Sequence, residues 1–570
     1  MRVVFTAINS KYSHAALAPW CLRAGIRAYA ETEVEAVVCE GTINEEDDVL
    51  LERVKSHHAD MAGFCTYIWN VKTVLRTAER LKRNAPETVI VLGGPEVSYN
   101  ADEVLSEYSF VDYIISGEGE LPVSKLCDSL NRGEAPPDGY GICYRKNGVN
   151  VIAEPYISSE EPPSPYCDEF FAALGRRMPY IETSRGCPYS CAFCLSGRCG
   201  GVRFFDIERA KKEILTLAEN TTAVVKFVDR TFNANKQRAK EIFRFICDNY
   251  ADKIPEGVCF HFEIAGDILD DETIEILNNA PKGSIQLEIG MQSFNEKTLA
   301  YINRRTDTER LKRNIRRLTE KGNIHVHIDL IAGLPYEDME SFAESFNTGF
   351  SLGADMLQAG FLKLLHGADM REDAERYQCE YSSEPPYEVV STPWLTSEEM
   401  QLIHFAEDVL DRFCNSGRFR RTAEYVLGGT KPFELLCGFG KYTAEKGTSG
   451  ISLDDYTALV LDYFSSAEGI DRAVLRDKLV CDRFSTNSFG LLPEALKISD
   501  PVLLNKALLH LEASSDTRRR KGIKRSIAIL YSECDEDKIC AVYADYDDKA
   551  KNRHSLTAPE YKITKFYFNR

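Results

Sequence analysis

Three cysteines lie close together near the middle of the chain, in the spacing C-x3-C-x2-C: Cys187, Cys191 and Cys194. Gly186 and Pro188 flank the first of them. Three thiolates at this spacing can wrap one cluster of soft metal ions, and three ligands leave one iron of a [4Fe–4S] cube without a protein ligand. The spacing therefore favours an iron–sulfur site with one open position, at which a substrate or a cofactor can coordinate.

Zinc is the main alternative for these thiols. Zinc takes four ligands, typically in paired spacings, and Cys199 could be the fourth, although no second pair follows nearby. Coincidence is weaker as an explanation, even in a chain with 18 cysteines. Most of the others, such as Cys39, Cys65 and Cys247, stand singly in apolar segments, where a reduced cysteine behaves as a small hydrophobe.

Further chemistry-bearing residues follow at the ends of apolar segments. Glu263 stands in F-E-I, Gln292 in G-M-Q-S-F-N, Arg304 twelve residues after that glutamine, and Asp329 opens D-L-I-A-G-L-P. With the cysteine motif, whose aromatic position is Phe193, this series resembles the radical S-adenosylmethionine (SAM) superfamily. It is most similar to the branch containing coproporphyrinogen dehydrogenase and the elongator- and methylthiotransferase-like enzymes.

The resemblance implies a [4Fe–4S] cluster held by Cys187, Cys191 and Cys194, with Cys199 not a ligand. It also implies that SAM chelates the fourth iron, that one electron cleaves its sulfonium, and that a 5′-deoxyadenosyl radical is released. The side chains implied as SAM contacts are Phe193, Glu263, Gln292, Arg304 and Asp329. Carboxylates suit amino and ribose hydroxyl groups, and arginine pairs with carboxylate. Residues 229–232, D-R-T-F, stand where the superfamily has a Gly-Gly motif, and match it poorly.

The elements before the cysteines predict a Rossmann-like, doubly wound parallel sheet over residues 1–140, because short apolar strands alternate with helical patterns. Strands are predicted at 2–8, 33–39, 61–65, 88–92 and 113–116. Helices are predicted at 15–29, 45–56, 71–84 and 121–130. A ligand of such a sheet binds beyond the carboxyl ends of its strands.

A Rossmann-like domain before a radical SAM barrel resembles the cobalamin-binding subclass. The strand-end segments L-G-G-P-E at 92–96 and S-G-E-G-E at 116–120 look like those of the subclass. The resemblance implies bound cobalamin, with contacts from His14, Thr66, Gly93, Gly94, Gly117 and Glu118. The usual Asp-x-His-x-x-Gly motif is absent, and N-S-K-Y-S-H-A stands at 9–15 instead. His14 is therefore a candidate axial cobalt ligand, helix cap or corrin-edge contact.

Residues 176–372 predict an open (β/α)6 TIM-like barrel with its catalytic groups at the carboxyl ends of the strands. Its strands are predicted at 180–184, 223–228, 258–265, 284–290, 325–331 and 356–365, with helices such as 206–218, 236–249, 309–321 and 338–352. Residues 141–175, rich in proline and acidic side chains, predict a linker with a hairpin around 141–152. Residues 373–570 predict an α+β accessory domain, with helices at 397–414 and 452–464 and strands at 525–531 and 539–543.

Composition limits the function classes. The chain has 570 residues and a net charge of −19, so its overall charge does not favour binding to nucleic acid. Basic runs at 418–421 and 518–521 leave local nucleic-acid binding open. No apolar run is long enough to span a membrane, and the amino terminus does not resemble a signal peptide. A cytoplasmic location and reduced thiols are expected. The radical SAM resemblance further implies an external one-electron donor such as flavodoxin or ferredoxin.

The resulting hypothesis is a radical SAM enzyme that cleaves SAM reductively and, with cobalamin, methylates or rearranges an unactivated carbon of an unknown substrate. One alternative is a cobalamin-independent radical SAM enzyme that modifies RNA or a tetrapyrrole. The other is a non-catalytic binding or sensor protein with a zinc or iron–sulfur knot. Cobalamin content distinguishes the cobalamin-dependent enzyme from the cobalamin-independent one. Metal analysis and an assay of SAM cleavage distinguish both enzymes from the binding or sensor protein.

Overall fold

The protein is represented by a computed structural model that describes residues 1–221, 224–447, 450–487, 491–497, 500–513, 524–546 and 561–569. Contacts between residues divide the chain into two compact units. The first comprises Met1–Asp338 and Gly360–Thr396, and the second comprises Met339–Ala359 and Ser397–Arg570. The predicted mixed α/β class is confirmed.

The first unit begins with a seven-stranded sheet in the order β2-β1-β3-β4-β5-β6-β7. Its strands are β1 Arg2–Asn9, β2 Glu35–Thr42, β3 Met61–Cys65, β4 Val89–Gly93, β5 Tyr113–Ile115, β6 Ile142–Lys146 and β7 Val149–Val151. The first five strands are parallel, and β6 and β7 are antiparallel. The strand order reverses at β1 and β3, which is the switch point where doubly wound sheets bind ligands.

Helices cover both faces of this sheet: α1 Ala18–Tyr29, α2 Asp47–Lys55, α3 Val71–Asn84, α4 Ala101–Glu107 and α5 Glu120–Arg132. Successive residues of a strand point to opposite faces. In β1, Val4 and Ile8 join one buried cluster, whereas Val3 and Phe5 join the other. The uninterrupted apolar run in β1 therefore follows from burial on both sides.

The hairpin predicted within the linker belongs to this sheet, because β6 pairs with β5 and places Tyr144 opposite Tyr113. Ile142 and Cys143 are buried there, so the hairpin extends the core. Helix α4 was not predicted from the sequence, which is understandable for a helix of only seven residues.

A second sheet has six strands in the order β15-β14-β13-β12-β11-β8. These strands belong to the first unit, except for most of β15, which belongs to the second. These strands are β8 Tyr180–Ile181, β11 Val224–Phe227, β12 Cys259–Ile264, β13 Ile285–Gln292, β14 His325–Ala332 and β15 Met356–Phe361. Two short strands, β9 Ser184–Cys187 and β10 Gly201–Phe204, form a separate antiparallel pair. From β8 to β14, neighbouring strands of this sheet pair in parallel. The predicted succession of βα units is confirmed, and β8 and β15 are the edges of the sheet.

The helices that accompany these strands are α6 Asp168–Leu174, α7 Ile207–Glu219, α8 Lys236–Asn249, α9 Asp271–Asn278, α10 Glu296–Tyr301, α11 Thr308–Thr319, α12 Met339–Phe350, α13 Asp369–Glu372 and α14 Ala374–Tyr377. Several begin at a capping side chain, as Asp206, Asn235 and Asp307 do by accepting a backbone N–H of the first turn. A short hairpin follows, β16 Glu380–Tyr381 and β17 Val389–Ser391.

The second unit includes α12 and is mainly helical in its described residues. Its other α-helices are α15 Ser397–Val409, α16 Arg420–Leu427, α17 Pro432–Lys446, α18 Leu453–Phe464, α19 Arg472–Thr486 and α20 Pro501–Ala513. A π-helical turn, Leu410–Asn415, extends α15 to the predicted length. Its strands are β18 Lys524–Ile529, β19 Lys538–Tyr546 and β20 Ile563–Asn569, of which β20 was not predicted. The basic run at 518–521 lies outside the described residues. Among the helices described here, none combines the length and apolar character needed to cross a membrane.

Candidate functional site

The cysteine segment is a loop held between β9 and β10. Cys187 ends β9 and lies opposite Gly201, the first residue of β10. In the middle of the loop, the N–H of Ala192 donates to the carbonyl of Ile302 at 2.9 Å, and its carbonyl accepts from the N–H of Met370 at 3.1 Å. Ala192 is fully buried. The loop that carries the thiols is therefore fixed at both ends and at its centre.

Each of the three thiols has a polar neighbour. The Cys187 sulfur lies 3.2 Å from the Thr231 hydroxyl, and Arg304 donates to the Cys191 sulfur at 3.7 Å. The Cys194 sulfur accepts the backbone N–H of Ser196 at 3.4 Å. Burial raises the pKa of the Cys191 thiol, and the nearby Arg304 opposes that rise. Donors of this kind stabilise thiolates, which are the form that binds metal.

Within the part of the chain that the structure describes, no three His, Cys, Asp or Glu side chains converge on one metal position. Zinc would need its sulfur ligands gathered at about 2.3 Å from one ion, whereas the corners of an iron–sulfur cube place three thiolates farther apart. The side chain of Cys199 lies outside the described residues, so its role stays a prediction.

A pocket of about 200 Å³ opens beside the loop. It brings together all of the residues predicted to bind the cluster or SAM: Cys187, Cys191, Cys194, Phe193, Glu263, Gln292, Arg304 and Asp329. The remaining lining residues are Tyr189, Ser196, Arg230, Thr231, Ile264, Ala265, Glu288 and Gly290. Residues spread over much of the barrel sequence thus meet at the carboxyl ends of the parallel strands, where this architecture places its chemistry.

Gln292 is held in an unusual backbone conformation. The register between β13 and β14 shifts at Gly290 and Gln292, and Gln292 has a φ of 69°. A side chain on Gly290 would collide with the Gln292 amide nitrogen. Arg304 donates to the carbonyl of Gly290 at 2.5 Å, while its Nε is buried and lacks a hydrogen-bond partner among the described residues. Strain of this kind concentrates at functional sites.

The carboxylates of the pocket form ion pairs and hydrogen bonds with neighbouring basic side chains. Glu263 lies 3.7 Å from Lys226 and 3.8 Å from Arg230, and burial raises its pKa even though Arg230 opposes this. Glu288 lies opposite Glu263 in the sheet and accepts from His261 at 2.7 Å. Burial raises the pKa of Glu288, but His261 and Lys226 together lower it to about 2.

Asp329 has its own partner on the same strand. Its carboxylate lies 3.0 Å from Nε2 of His327. Burial alone would lower the pKa of His327, but the pairing with Asp329 outweighs it and raises that pKa. The carboxylate of Asp329 therefore favours the protonated form of the neighbouring His327 ring.

Asp229, in the segment that matched the Gly-Gly motif poorly, has a role within the chain. Its buried carboxylate accepts from the N–H of Thr183 at 2.9 Å, the Thr183 hydroxyl at 2.7 Å and the Ser184 hydroxyl at 2.6 Å. These bonds join the end of β11 to the start of β9, which leads into the cysteine loop. Sequence reasoning did not assign Asp229 this role.

Sequence reasoning missed Glu288 as a pocket residue, whereas Arg230 and Thr231 belong to the D-R-T-F segment that stands in the place of the Gly-Gly motif near the SAM amino group. The alternation of a strand would have indicated Glu288, because it lies two residues before Gly290 on the same face of β13. Its pairing with Glu263 depends on the register between β12 and β13, which the sequence does not specify.

The strand-end residues predicted to contact cobalamin lie at the switch point and the adjacent strands of the first sheet. The Thr66 N–H donates to the carbonyl of Gly93 at 2.7 Å. Gly94 has a φ of +119°, and a Cβ there would lie 2.4 Å from the Thr66 carbonyl oxygen. At Gly93, the nearest atom to such a Cβ would be 3.6 Å away. Gly94 is therefore required by packing within the chain, whereas Gly93 leaves space beside it.

Gly117 and Glu118, at the end of β5, also have partners within the chain. A Cβ on Gly117 would lie 2.3 Å from the carbonyl oxygen of Tyr156. The Glu118 carboxylate accepts from Arg185 and Arg203. Packing against Tyr156 therefore explains the glycine at position 117, and ion pairing explains the glutamate at position 118, without any bound ligand.

His14 follows β1, next to the switch point. Its Nδ1 shares a short hydrogen bond with the hydroxyl of Tyr180 on β8. It does not cap the following helix, because the N-cap of α1 is Leu17, which makes no side-chain capping bond. Burial and the charge of Lys11 lower the pKa of His14, which favours the neutral ring.

Trp69 lies in the loop after β3, at the same edge. Its side chain is half exposed and stacks on Tyr67, with the ring centroids 4.4 Å apart. Its indole N–H donates to the carbonyl of Ile8 at 3.4 Å. The ring is held in place without being buried in the core.

Comparison with protein families identifies both parts of the first unit. Residues 4–126 match the family model of the B12 binding domain, and residues 181–348 match that of the radical SAM superfamily. The chain joins a B12 binding domain to a radical SAM domain. Residues 375–535, which follow the radical SAM domain, match a model described as a protein of unknown function, DUF4080.

Curated relatives match more than half of this chain. A 2-(S-pantetheinyl)-carbapenam-3-carboxylate methyltransferase from Streptantibioticus cattleyicolor is 28% identical over 58% of this chain and 50% of its own length. The cobalamin-dependent radical SAM methyltransferase TokK from Streptomyces tokunonensis is 26% identical over 52% of this chain and 45% of its own length. The chain spans about half the length of these relatives.

A solved structure shares the fold of the B12 binding and radical SAM domains. The cobalamin-dependent SAM radical enzyme OxsB, determined with aqua-cobalamin and SAM bound, superposes with a TM-score of 0.59 at 14% sequence identity. The superposition covers 91% of this chain and 82% of OxsB.

Proposed function

We propose that this chain is a cobalamin-dependent radical SAM methyltransferase that acts on an unactivated carbon of a substrate still to be identified. One observation carries the proposal. Three cysteine thiols and all five side chains predicted to bind SAM line a single pocket, in a chain that also has a B12 binding domain. Neither a zinc knot nor a simple sensor would need that pocket.

The donor set fits a [4Fe–4S] cluster. In the proposal, Cys187, Cys191 and Cys194 bind three of its irons, and the pocket offers space at the fourth. When bound, the cluster, SAM and cobalamin together supply an electron, a hydrogen-abstracting radical and a transferable methyl group. The chain's own residues provide orientation and exclude water.

The polar residues of the pocket fit the charged groups of SAM. The Nε of Arg304, which has no hydrogen-bond partner within the described ranges, provides a buried N–H for a carboxylate. The strained backbone of Gln292 presents its amide in the same pocket. Glu263 and Asp329 provide acceptors for an amino group or for ribose hydroxyls. Phe193, which packs on a buried apolar cluster, provides an apolar wall.

In the B12 binding domain, we propose that cobalamin lies at the edge formed by Thr66, Gly93, Gly94 and Gly117, and that His14 contacts it. A histidine that binds a metal usually has its second ring nitrogen hydrogen-bonded. Tyr180 makes that bond to Nδ1 of His14, which leaves Nε2 to face a metal.

Other features of the proposal concern the setting of the enzyme. We propose a cytoplasmic location and an external one-electron donor such as flavodoxin or ferredoxin. The described cysteines are free thiols, as a reducing compartment would keep them. A net charge of −19 makes nucleic acid an unfavoured substrate.

The test uses full-length protein purified without oxygen, reconstituted with iron and sulfide, loaded with hydroxocobalamin and desalted. We expect four irons and one cobalt per chain, and 5′-deoxyadenosine after reduction with SAM. We expect Cys191→Ala to abolish SAM cleavage, and the matched control Cys247→Ala, on α8 outside the pocket, to retain it. Electron paramagnetic resonance of the Co(II) form is expected to show nitrogen hyperfine structure that His14→Ala removes.

The products distinguish the outcomes. S-adenosylhomocysteine formed along with 5′-deoxyadenosine indicates methyl transfer, whereas 5′-deoxyadenosine alone, once substrate is supplied, indicates rearrangement or ring formation. Iron without retained cobalamin would contradict the cobalamin part. Zinc without 5′-deoxyadenosine would contradict the radical SAM function altogether.

A further inference from the structure

Arg185 is a buried charge next to the cysteine loop. It lies on β9 shortly before Cys187, and its side chain is 15% exposed. Its guanidinium group donates to Glu118 at 2.7 Å, to Glu120 at 2.5 Å and to Glu182 at 2.9 and 3.0 Å. Bonds of this type between a guanidinium and carboxylates are among the strongest that side chains make.

A second arginine shares one of these carboxylates. Arg203 lies on β10 and donates to both oxygens of Glu118, at 2.7 and 2.8 Å. Arg185 and Arg203 lie directly opposite each other in the β9–β10 pair. The two strands that hold the cysteine loop are therefore bound to the same glutamate, which belongs to the B12 binding domain.

Like charges opposite each other in an antiparallel pair destabilise that pair. The effect is larger when the charges are partly buried, because water screens them less. Glu118, whose side chain is 13% exposed, lies between the two arginines and compensates both. Without it, Arg185 would retain Glu120 and Glu182, but Arg203 would have no carboxylate within ion-pair distance among the described residues.

We propose that Glu118 is a positioning residue for the iron–sulfur cluster. It acts through Arg185 and Arg203, holding the β9–β10 hairpin and the cysteine loop against the end of β5. The properties of a cluster bound in the radical SAM domain then depend on a side chain of the B12 binding domain. This inference rests on the proposed function, because it takes the three cysteines to be cluster ligands.

The test is Glu118→Gln in the full-length protein, which keeps the size of the side chain and removes its charge. Arg203 then loses its carboxylate while Arg185 keeps Glu120 and Glu182, so the charge beside the cluster becomes more positive by one, which favours the more negative, reduced form of the cluster. We expect the midpoint potential to shift in the positive direction in a redox titration followed by electron paramagnetic resonance. The rate of SAM cleavage is expected to fall roughly tenfold or more, as for other residues that orient metal ligands.

A measurement without any metal tests the same point. In protein freed of iron and cobalamin, hydrogen exchange of the backbone amides in β9 and β10 is expected to rise in Glu118→Gln. The double variant Glu118→Gln/Arg203→Gln removes one of the opposed charges. We expect it to recover part of the exchange protection and of the midpoint potential, because coupled residues give non-additive effects.

The matched control is Glu40→Gln. Glu40 on β2 pairs with Arg177 at 2.6 Å, with side chains 11% and 14% exposed, and neither residue belongs to β9 or β10. It is a comparably buried pair between the B12 binding domain and the segment before β8. We expect this variant to leave the midpoint potential and the exchange of β9 and β10 unchanged.

Two results would overturn the inference. One is a Glu118→Gln protein whose potential and hairpin exchange equal those of the unmodified protein. The other is an equal shift in Glu40→Gln, which would indicate a general loosening of the domain. An unmodified protein that binds no cluster would instead overturn the proposed function, and the inference with it.

Discussion

At the scale of single residues, the pocket combines positions that are costly to the fold with positions that suit SAM. Gln292 is the clearest case, since its positive φ is uncommon for a residue with a side chain. Arg304 is another, because its buried Nε has no hydrogen-bond partner in the described part of the chain. Such features persist only where the surrounding structure enforces them, and here both occur in the pocket that holds the three thiols.

Replacing Gln292 should change stability and binding in opposite directions. Glycine adopts a positive φ without strain, so Gln292→Gly is expected to raise the free energy of unfolding by about 1 kcal/mol. Loss of the amide is expected to weaken SAM binding about tenfold. Chemical unfolding and equilibrium titration with SAM measure the two effects.

The matched control is His58→Gly, which relieves a φ of 48° in the turn after α2, outside the pocket. It should gain a similar amount of stability and leave SAM affinity unchanged. A lower free energy of unfolding in Gln292→Gly, with unchanged SAM affinity, would show that Gln292 at its positive φ stabilises the fold and does not bind SAM.

At the scale of elements, local sequence patterns predict where strands and helices lie. The pairing between strands depends on residues that are distant in the chain, and the sequence did not predict it. The strands of both parallel sheets could be predicted because each is an apolar run bounded by polar turns. The attachment of β6 to β5, and the third strand β20, depend on partners distant in the chain. The SAM motifs could be placed because they follow strands, whereas Glu288 needed the register of β12 and β13.

The end of β4 offers a matched pair of glycines. Gly94→Ala introduces a Cβ 2.4 Å from the Thr66 carbonyl oxygen at a φ of +119°, and is expected to lower the free energy of unfolding by about 2 kcal/mol or more. Gly93→Ala meets only ordinary contacts and should cost less than about 1 kcal/mol.

In the proposed function, Gly93 lies at the cobalamin edge. Gly93→Ala should therefore reduce the cobalt retained after desalting while the protein stays folded. Thermal unfolding and cobalt analysis on the same samples separate these effects. Full stability in Gly94→Ala would contradict the close approach of β4 to Thr66.

At the scale of the whole molecule, the chemistry lies in the first compact unit, whereas most of the DUF4080 match, residues 397–535, lies in the second. The thiols and the pocket lie in the first unit. The second unit has its own buried centre, where Phe413, Phe439 and Phe464 pack together. It also has its own buried carboxylate, Asp482 on α19.

Asp482→Ala should destabilise the second unit selectively. The carboxylate accepts from the N–H and hydroxyl of Thr422 at 2.9 and 2.8 Å and from the N–H of Arg421 at 3.1 Å. Its removal leaves buried donors unsatisfied and is expected to cost about 3 kcal/mol. Hydrogen exchange should increase in α16 and α19, whereas iron content should not change. An equal loss of iron would contradict the separation of the two units.

The anchoring of Ala192 has a consequence for biosynthesis. Its partners, Ile302 and Met370, are synthesised long after the cysteine loop has left the ribosome. Until they arrive, the thiols lack the contacts that fix the centre of their loop. Iron and sulfide delivered to the nascent chain would therefore meet a flexible segment open to oxidation. Assembly machinery that recognises the completed barrel would install the cluster more efficiently than machinery acting during translation.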